Sequence, residues 1–493
     1  MNTATLQGKI EEMFKHGLIY GLTSVLQNLL GFIMLPVLTA FFTPDVFGAY
    51  SILLFMSTLG SSIFYLGASS AMGRFYFDEN SDLFRKKIFT TALLITVFGA
   101  VSLSFIGIFF ANNLSTQFFG TEIYTKPIGL IFLGTAFGIL FNLMTLFLRY
   151  EQKSYQFFIL MLCFVFIDFL LTYVLLKWFD MGISAPIFGM IISNALCFLV
   201  LLVKNVDYLT SELELKYVGL LLNFGLQTSI AGLLFYTLNS IDKLIIKELL
   251  NLSEVGVYSL GYRLGSVMNI LLVVPFTFIW SPLRMKHSKD GDMDLFSERV
   301  LSYYTFVGVI IMMFAILFGE DIMKYFFVNK SYLSATKVFP VIMFAYLFYG
   351  YGNILDYGIY LHKKVYLTSL ILILAIVFNV ALNFFLIPKW GYMGAAYISV
   401  LTYLSTSITL YVISNRLHPL KVDLKRVLAA LLFISFLYFL MNYALVWNLL
   451  YKLIVFFGTL YLFYRYWLSK GERKYILYKL IDVRRKIFFN HQT

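Results

Sequence analysis

Fourteen apolar segments, each close to the length of a helix that crosses a lipid bilayer, dominate this chain. A spanning helix needs about 20 mostly apolar residues. The first segment covers residues 17–41 and the last covers residues 449–467. Of the 493 residues, 60% are hydrophobic and 13% are charged, whereas a soluble protein is about half apolar and about a quarter charged. The sequence therefore predicts an all-α polytopic membrane protein with about 14 transmembrane helices.

The connections between the apolar segments are short, so no soluble catalytic module fits between them. The first segment is too long for the h-region of a cleavable signal peptide, which spans about 7 to 15 residues, and it is interpreted as a membrane helix. No nucleotide-binding loop, metal-ligand cluster or nucleophile–base pair is visible. We therefore expect a protein that is not an enzyme and that has no cofactor.

Lys and Arg residues concentrate in alternate loops, as they do in the cytoplasmic loops of membrane proteins. With fourteen helices, 28 of the 38 Lys and Arg residues fall on the side of both termini and nine fall on the other side. This asymmetry predicts that both termini are cytoplasmic. The net charge of +12 then belongs mostly to the cytoplasmic face, where it favours contact with anionic lipids. It gives no reason to expect nucleic acid as a partner.

Two short motifs occur twice with almost the same spacing. KWFDMG at residues 177–182 returns as KWGYMG at residues 389–394, 212 residues later. GAYS, which begins at Gly48, returns as GVYS at Gly256, 208 residues later. Each copy occupies the same place relative to the apolar segments, which predicts a duplicated helical bundle. Internal repeats in a membrane chain point to a transporter with its substrate site between the two halves.

The repeat predicts four regions along the chain. Residues 1–204 and 205–416 would each form a bundle of six helices. Residues 417–468 would supply helices 13 and 14, and residues 469–493 would form a basic cytoplasmic tail.

Arg263 is the strongest single candidate for a functional residue because it lies inside the eighth predicted helix. An intramembrane Arg usually faces a bundle interior or a water-filled cavity, although near a helix end it can extend to the interface. Its planar and permanently charged guanidinium suits a phosphate group. Arg74 and Arg149 close helices on the inner side, where they could meet an anionic headgroup as it enters. Positive-inside anchoring explains these two equally well.

Two acidic residues are candidates for ion coupling. Asp168 lies midway along the fifth predicted helix, where an unpaired carboxylate is costly. Either it takes up a proton or it pairs with a cation on a neighbouring helix, and a protonated structural Asp is the alternative. Asp242 ends the seventh predicted helix next to Lys243. A solvated interfacial ion pair accounts for that position as well.

Many amide side chains lie within the apolar segments. Each can bond across a helix interface for about 0.6 kcal/mol, and a cavity for sugar hydroxyls would need the same chemistry. The sequence does not separate the two roles. The candidates for substrate binding are Asn239, Asn353, Asn379 and Asn383.

Residues 379–396 carry the pattern N-x-x-x-N-x-x-L-I-P-x-x-G-x-x-G-A-A. This pattern resembles the polysaccharide transporter family of the MOP superfamily, the flippases for O-antigen and capsule repeat units. Other positions look like landmarks of that family: Gly48, Tyr50, Asp242, Gly256, Tyr258, Arg263, Asn353, Lys363 and Lys364. The first half departs from the signature, since Asp168 and Pro186 stand where the second half has Val380 and Ile398. A role for Asp168 therefore has no support from the resemblance.

The resemblance implies two six-helix bundles around a central cavity, with two helices appended. It implies that the cargo is a polyprenyl-diphosphate-linked oligosaccharide, which alternating access carries from the cytoplasmic to the outer face of the bacterial cytoplasmic (inner) membrane. Such a flippase serves the synthesis of a cell-surface polysaccharide such as lipopolysaccharide O-antigen or capsule. A polysaccharide polymerase and a chain-length regulator in the same membrane are the partners it implies. Coupling to H+, to Na+ or to the membrane potential would drive transport.

Two other functions remain open from the sequence. An ion-coupled multidrug or small-molecule exporter of the same superfamily would favour acidic groups for organic cations, whereas Arg263 and the basic loops favour an anion. A membrane polysaccharide polymerase or ligase would place polar catalytic residues in a sizeable outer loop. The longest outer connections, residues 112–126 and 319–337, are short and lack a convincing acid–base pair.

Overall fold

The computed structural model describes residues 31–286, 293–327, 329–362, 364, 366–419, 422–443 and 449–467. The regular structure of these residues is helical, and no strand occurs among them. Most of the first predicted helix, Lys363 and the predicted basic tail lie outside the described residues.

Residues 31–204 contain eight helices. They are α1 (Gly31–Phe41), α2 (Pro44–Phe64), α3 (Ala68–Phe75), α4 (Asp82–Phe109), α5 (Ala111–Phe119), α6 (Thr125–Tyr150), α7 (Ser154–Lys177) and α8 (Ser184–Lys204).

The remainder of the described chain contains eleven more helices. They are α9 (Leu215–Leu238), α10 (Ile241–Leu249), α11 (Leu252–Gly265), α12 (Val274–Lys286), α13 (Met293–Phe326), α14 (Ala335–Leu355), α15 (Tyr357–Leu361), α16 (Tyr366–Trp390), α17 (Tyr392–Leu417), α18 (Leu424–Tyr443) and α19 (Leu449–Tyr466). A π-helical turn at Asn269–Val273 joins α11 to α12. Pro275 follows this turn and has no N–H to donate, which suits an irregular hydrogen-bond pattern.

Twelve helical spans among the described residues are long and apolar enough to cross a membrane. They coincide with the second to the thirteenth predicted segments, and two of them are continuous through α9–α10 and α11–α12. Helices α1 and α19 lie in the first and the fourteenth segments. The prediction of an all-α polytopic membrane protein with about 14 helices is confirmed.

The repeated KWxxMG sequence forms the same kind of connection in both halves. The first copy links α7 to α8 and the second links α16 to α17. Gly182 in the first turn and Gly391 in the second have φ values of 51° and 60°, which glycine adopts without steric cost. They are not equivalent positions of the repeat, because Gly182 aligns with Gly394, which lies inside α17. The two copies therefore share their place between two long helices, but their turns differ in local structure.

The second echo places its two glycines against each other where α2 packs along α11. A Cβ atom on Gly48 would lie 2.0 Å from the carbonyl oxygen of Leu252, and one on Gly256 would lie 1.8 Å from that of Pro44. The contacts are reciprocal, because Pro44 and Leu252 are also 208 residues apart. Reciprocal contacts of this kind arise about a twofold axis. The two halves therefore meet here through equivalent surfaces and without intervening side chains.

A second close approach joins the other end of α2 to α9. A Cβ atom on Gly67 would lie 1.9 Å from the carbonyl oxygen of Gly225, and Gly67 has a φ of 63°. Gly225 in turn faces the carbonyl oxygen of Leu66, 2.4 Å from the place where a Cβ atom would be. Glycine is therefore required on both sides of this contact, and the halves touch near both ends of α2.

The connection between α8 and α9 is fastened to the first half. The Lys87 ammonium on α4 lies 2.8 Å from the Glu214 carboxylate and 3.3 Å from that of Glu212. Hydrogen bonds from Lys216 and Lys87 hold the pKa of Glu214 below its usual value. These ion pairs hold the link between the halves against the end of α4.

The described residues form two compact units. One contains the described parts of residues 1–283 and 324–418, and the other those of residues 284–323 and 419–493. In the second unit, the aromatic rings of Phe306 and Phe463 lie 5.8 Å apart, and the Lys452 ammonium donates to Asp321 Oδ2 at 2.5 Å. The predicted domain boundaries stay predictions.

Candidate functional site

Arg263 lies three turns into α11, a helix that Asn251 caps by accepting a hydrogen bond from the Glu254 N–H at 3.0 Å. Gly261 and Gly265 pack directly onto α14, with Cβ positions 2.4 Å from Val338 and 2.6 Å from Ile342 side chains. A residue two positions from each glycine points to the opposite side of a helix with 3.6 residues per turn. The Arg263 side chain therefore points away from the α11–α14 contact.

The Arg263 guanidinium is exposed and has neighbours from both halves of the chain. Its Nη2 lies 3.5 Å from the place where a Cβ atom on Gly31 would be, so it faces α1. The Tyr50 hydroxyl on α2 and the Lys243 ammonium on α10 are near enough to interact electrostatically with it. Among the described residues it has no carboxylate partner. A permanently charged fork in this position is available to an anionic ligand.

Lys243 is a functional candidate that the sequence reasoning missed. Its ammonium lies 5.7 Å from the centre of the Tyr262 ring, in a cation–π contact, and Lys243 is half-buried. The sequence interpretation ended the seventh helix at residue 238, whereas this span continues to Leu249. Lys243 and Lys247 are four residues apart, a helical spacing. This spacing could have indicated that the seventh helix continues past residue 238. Lys243 and Arg263 together place two positive charges near one another.

Asp242 is buried beside Lys243, and its carboxylate interacts electrostatically with the Lys243 ammonium. Its side chain is only 2% exposed, and its carboxylate accepts hydrogen bonds from the Tyr258 hydroxyl and from the backbone N–H of Lys243. The interpretation of Asp242 and Lys243 as a solvated interfacial pair is therefore wrong. A buried carboxylate with two donors acts as a link between α10 and α11.

Asn239 and the tyrosines around it form a hydrogen-bonded cluster next to Lys243. Asn239 Oδ1 accepts from the Tyr403 hydroxyl at 2.8 Å and from the Tyr262 hydroxyl at 3.2 Å. The Tyr346 hydroxyl donates to that of Tyr262 at 3.4 Å. This cluster joins the end of α9 to α11, α14 and α17, and it supports the Tyr262 ring against which Lys243 rests.

The other amide candidates lie on α14 and α16. Asn379 and Asn383 are buried on α16, where Asn383 Nδ2 donates to Asn379 Oδ1 at 2.8 Å and Asn379 Nδ2 donates to Thr402 Oγ1 at 3.1 Å. They tie α16 to α17. Asn353 is half-buried on α14, and its backbone carbonyl accepts from the Trp280 indole at 3.1 Å.

The other two arginines of the candidate set occupy helix ends. Arg74 in α3 forms an ion pair with Asp78 at 2.8 Å, and its side chain is 54% exposed. The Arg149 guanidinium at the end of α6 lies 4.6 Å from the centre of the Phe157 ring. None of the described contacts joins either of them to Arg263. A role for them in meeting the substrate stays a prediction.

Asp168 lies on α7 and is half-buried. Its Oδ1 atom is buried without a hydrogen-bond partner among the described residues. Its charge acts on the Tyr50 hydroxyl, on which Arg263 also acts. No group of three or more His, Cys, Asp or Glu side chains in the described part of the chain could hold a metal ion.

The model of a protein family described as "Polysaccharide biosynthesis protein" matches residues 37–336 of this chain. Comparison with curated protein sequences gave no match. Among solved structures, the lipid II flippase MurJ in an inward closed conformation is similar over 92% of this chain and 98% of its own, with 17% identity and a TM-score of 0.71.

Transporters of the MATE family have a similar fold. An inward-facing multidrug resistance MATE transporter of the MOP superfamily matches over 82% of this chain and 95% of its own, with 11% identity and a TM-score of 0.65. A mutant of the Vibrio cholerae MATE transporter VcmN matches over 82% and 96%, with 12% identity and a TM-score of 0.58. These similarities show a shared fold.

Proposed function

The chain belongs to the polysaccharide biosynthesis protein family, and we propose that it is a flippase for polyprenyl-diphosphate-linked oligosaccharide repeat units. It carries them from the cytoplasmic to the outer face of the bacterial cytoplasmic (inner) membrane for the synthesis of a cell-surface polysaccharide, O-antigen or capsule. A polysaccharide polymerase and a chain-length regulator would act on the cargo after it has crossed. The observation that carries the proposal is the pair of cations, Arg263 and Lys243, beside helices of both halves.

Two adjacent cations suit a diphosphate, which presents two anionic groups to the protein. A charged head that enters hydrocarbon loses its hydration, which is prohibitive unless partners replace the water. Arg263 offers a planar fork that binds phosphate oxygens with two parallel hydrogen bonds, and Lys243 offers a point charge. The sugars need hydrogen-bonding groups and aromatic faces, and Asn239 with its tyrosine cluster lies next to Lys243.

Alternating access requires that the two halves separate first on one side and then on the other. The contacts of Gly48 with Gly256 and of Gly67 with Gly225 are backbone contacts with no side chain between them. Opening at either end of α2 therefore exposes peptide groups and small residues, which is compatible with a polar passage. The oligosaccharide head would pass between the halves while the polyprenyl chain stays in the bilayer.

The membrane potential favours this direction of transport. With the cytoplasm negative, each anionic charge that moves outward gains about 2.3 kcal/mol per 100 mV. A multidrug exporter is the competing function for this fold. It would need anionic groups for organic cations, whereas the described neighbours of Arg263 include a second cation and Asp242 is already held by two donors.

The test is the side of the membrane on which lipid-linked repeat units accumulate. Deletion of the gene should leave them on the inner leaflet, and the wild-type protein should restore export. We expect Arg263→Ala and Lys243→Ala to reduce export about 10- to 100-fold, since a hydrogen bond to a charged group contributes about 1.5–3 kcal/mol. Arg263→Lys should restore it in part.

Lys247→Ala is the matched control, because Lys247 lies on the same helix and pairs with Glu248 at 2.7 Å. It should export at the wild-type rate. If deletion leaves lipid-linked glycans unchanged but makes cells sensitive to cationic drugs, the protein is an exporter instead. If both Arg263 variants export normally, Arg263 is not part of the substrate site.

A further inference from the structure

Two buried oxygen atoms on α7 lack hydrogen-bond partners among the described residues. They are Asp168 Oδ1 and Thr172 Oγ1. Thr172 is fully buried, and residues four positions apart lie on the same face of a helix. A buried polar atom without a partner is costly. The described residues therefore leave two buried oxygen atoms of α7 without hydrogen-bond partners.

Helix α8 closes over these oxygen atoms through Gly189. A Cβ atom on Gly189 would lie 2.4 Å from Thr172 Oγ1 and 3.1 Å from both the Oδ1 and the backbone oxygen of Asp168. A metal ion bound by oxygen atoms needs several ligands arranged around it, and a space too small for a methyl group does not provide that room. A proton needs no added volume, so it is the cation that this arrangement admits.

No Lys or Arg among the described residues pairs with Asp168. The described part of α1 has no titratable residue, α8 has only Cys197 and a terminal Lys204, and α6 has only Lys126, Arg149 and Tyr150, all near its ends. The groups that share its electrostatic surroundings are Tyr50 on α2 and, through Tyr50, Arg263 on α11. A carboxylate that is removed from water without a cationic partner takes up a proton.

We propose that Asp168 is a proton-binding site of the transporter, and that binding of an anion at Arg263 promotes its protonation. The proton comes from water, neutralises the carboxylate and supplies a donor beside the unpartnered Thr172 oxygen. The effect of an anion at Arg263 on this protonation rests on the proposed function. Asp242 is a poorer candidate because its carboxylate already accepts hydrogen bonds from two donors.

The direction of the linkage follows from the signs of the charges. Asp168 and Arg263 both act on the Tyr50 hydroxyl, and in a low-dielectric interior such charges interact over long distances. The free guanidinium favours the charged carboxylate, whereas a diphosphate bound to Arg263 cancels that attraction. Linkage is reciprocal. The substrate should therefore bind more tightly as pH falls through the titration of Asp168.

The experiment uses the full chain in lipid nanodiscs and a defined probe, a farnesyl diphosphate esterified at its far end to glucose. Because both ends are esterified, the probe does not itself titrate near neutral pH. Calorimetry in buffers of different ionisation enthalpy measures the protons bound with the probe. We expect uptake of up to one proton and affinity that rises up to tenfold per pH unit in the titration range. Both effects should vanish in Asp168→Asn.

Asp180→Asn is the matched control, since Asp180 is exposed beyond the end of α7 and its positive φ of 47° is tolerated by Asn. It should behave as wild type. Binding without proton uptake, or uptake that persists in Asp168→Asn, would overturn the linkage and leave the flippase proposal standing. A requirement for Na+ in place of protons would overturn the proton site.

Infrared titration of the carboxyl groups separates the two proposals. A protonated carboxyl band that is present in wild type, absent in Asp168→Asn and shifted in Thr172→Val supports the proton site even if the probe does not bind. Failure of the probe to bind counts against the anion site at Arg263 and so against the proposed function. If wild type and Asp168→Asn give the same spectra at every pH, Asp168 is not a proton-binding site.

Discussion

The Asp242 carboxylate receives hydrogen bonds from its own neighbour in α10 and from Tyr258 in α11. Both Asp242 and Tyr258 are buried, at 2% and 0% exposure. Each hydrogen bond contributes to stability here, because a buried carboxylate without a partner is destabilised by the full free energy of its lost hydration. The pair therefore fixes α10 against α11, and with it the place of Lys243.

Tyr258→Phe removes one of these donors and changes little else in shape. We expect a loss of about 1.5–3 kcal/mol in stability, the usual contribution of a hydrogen bond to a charged group. Thermal unfolding of the purified protein measures it. Tyr155→Phe is the control, since Tyr155 is 71% exposed, and it should leave the unfolding temperature unchanged. Equal unfolding temperatures for the two variants would show that Tyr258 contributes only its ring.

The sequence singled out Arg263 as a candidate but not Lys243, for a physical reason. An Arg within an apolar segment is conspicuous because charges there are rare. Lys243 follows the break at Asn239 and Ser240, which reads as the end of a helix, and only the structure shows that α10 continues the same span to Leu249. Side-chain direction was likewise beyond the sequence: it could not tell that Asn379 and Asn383 bond to each other.

At the scale of elements, glycines set the distance between the two halves. Helices α2 and α11 approach so closely at Gly48 and Gly256 that any Cβ atom meets a carbonyl oxygen. The sequence predicted the pairing of these positions as copies of a repeat, but not that they touch. Sequence periodicity identifies equivalent positions, whereas contact between them depends on how the bundles are arranged.

Gly48→Ala and Gly256→Ala should each destabilise the protein by about 1–3 kcal/mol, the usual cost of overpacking. Because the two contacts are reciprocal, the two substitutions should have effects of similar size. Gly219→Ala on α9 is the control, since nothing lies within 4 Å of its Cβ position. It should be neutral or stabilising by up to about 1 kcal/mol. Thermal unfolding compares the three, and an unchanged midpoint for Gly48→Ala would mean that the α2–α11 contact is not tight in the membrane.

The short helices were the elements that the sequence did not predict. Helices α3, α5 and α15 have eight, nine and five residues, too few to cross a bilayer. A search for long apolar runs has no signal for them. The long helices were found because a run of about 20 apolar residues has few other structures available to it in a membrane.

At the scale of the whole molecule, the distribution of basic residues predicts the orientation of the chain in the membrane. With 28 Lys and Arg residues on the side of the termini and nine on the other, insertion favours cytoplasmic termini. This orientation puts the α2–α3 end that contains Gly67 towards the cytoplasm and the Gly48 end towards the outside. A substrate that enters from the cytoplasm would then pass the Gly67–Gly225 contact first and the Gly48–Gly256 contact last.

Cysteine labelling in intact cells tests this orientation. In a background without Cys163 and Cys197, Gln117→Cys on α5 should react with a membrane-impermeant maleimide from outside, because both residue and helix lie at the predicted outer face. Glu79→Cys, exposed between α3 and α4, should react only after the cells are permeabilised. The reverse pattern would place the termini outside. The 28 basic residues would then lie on the outer face, and the Gly48 end of α2 would face the cytoplasm.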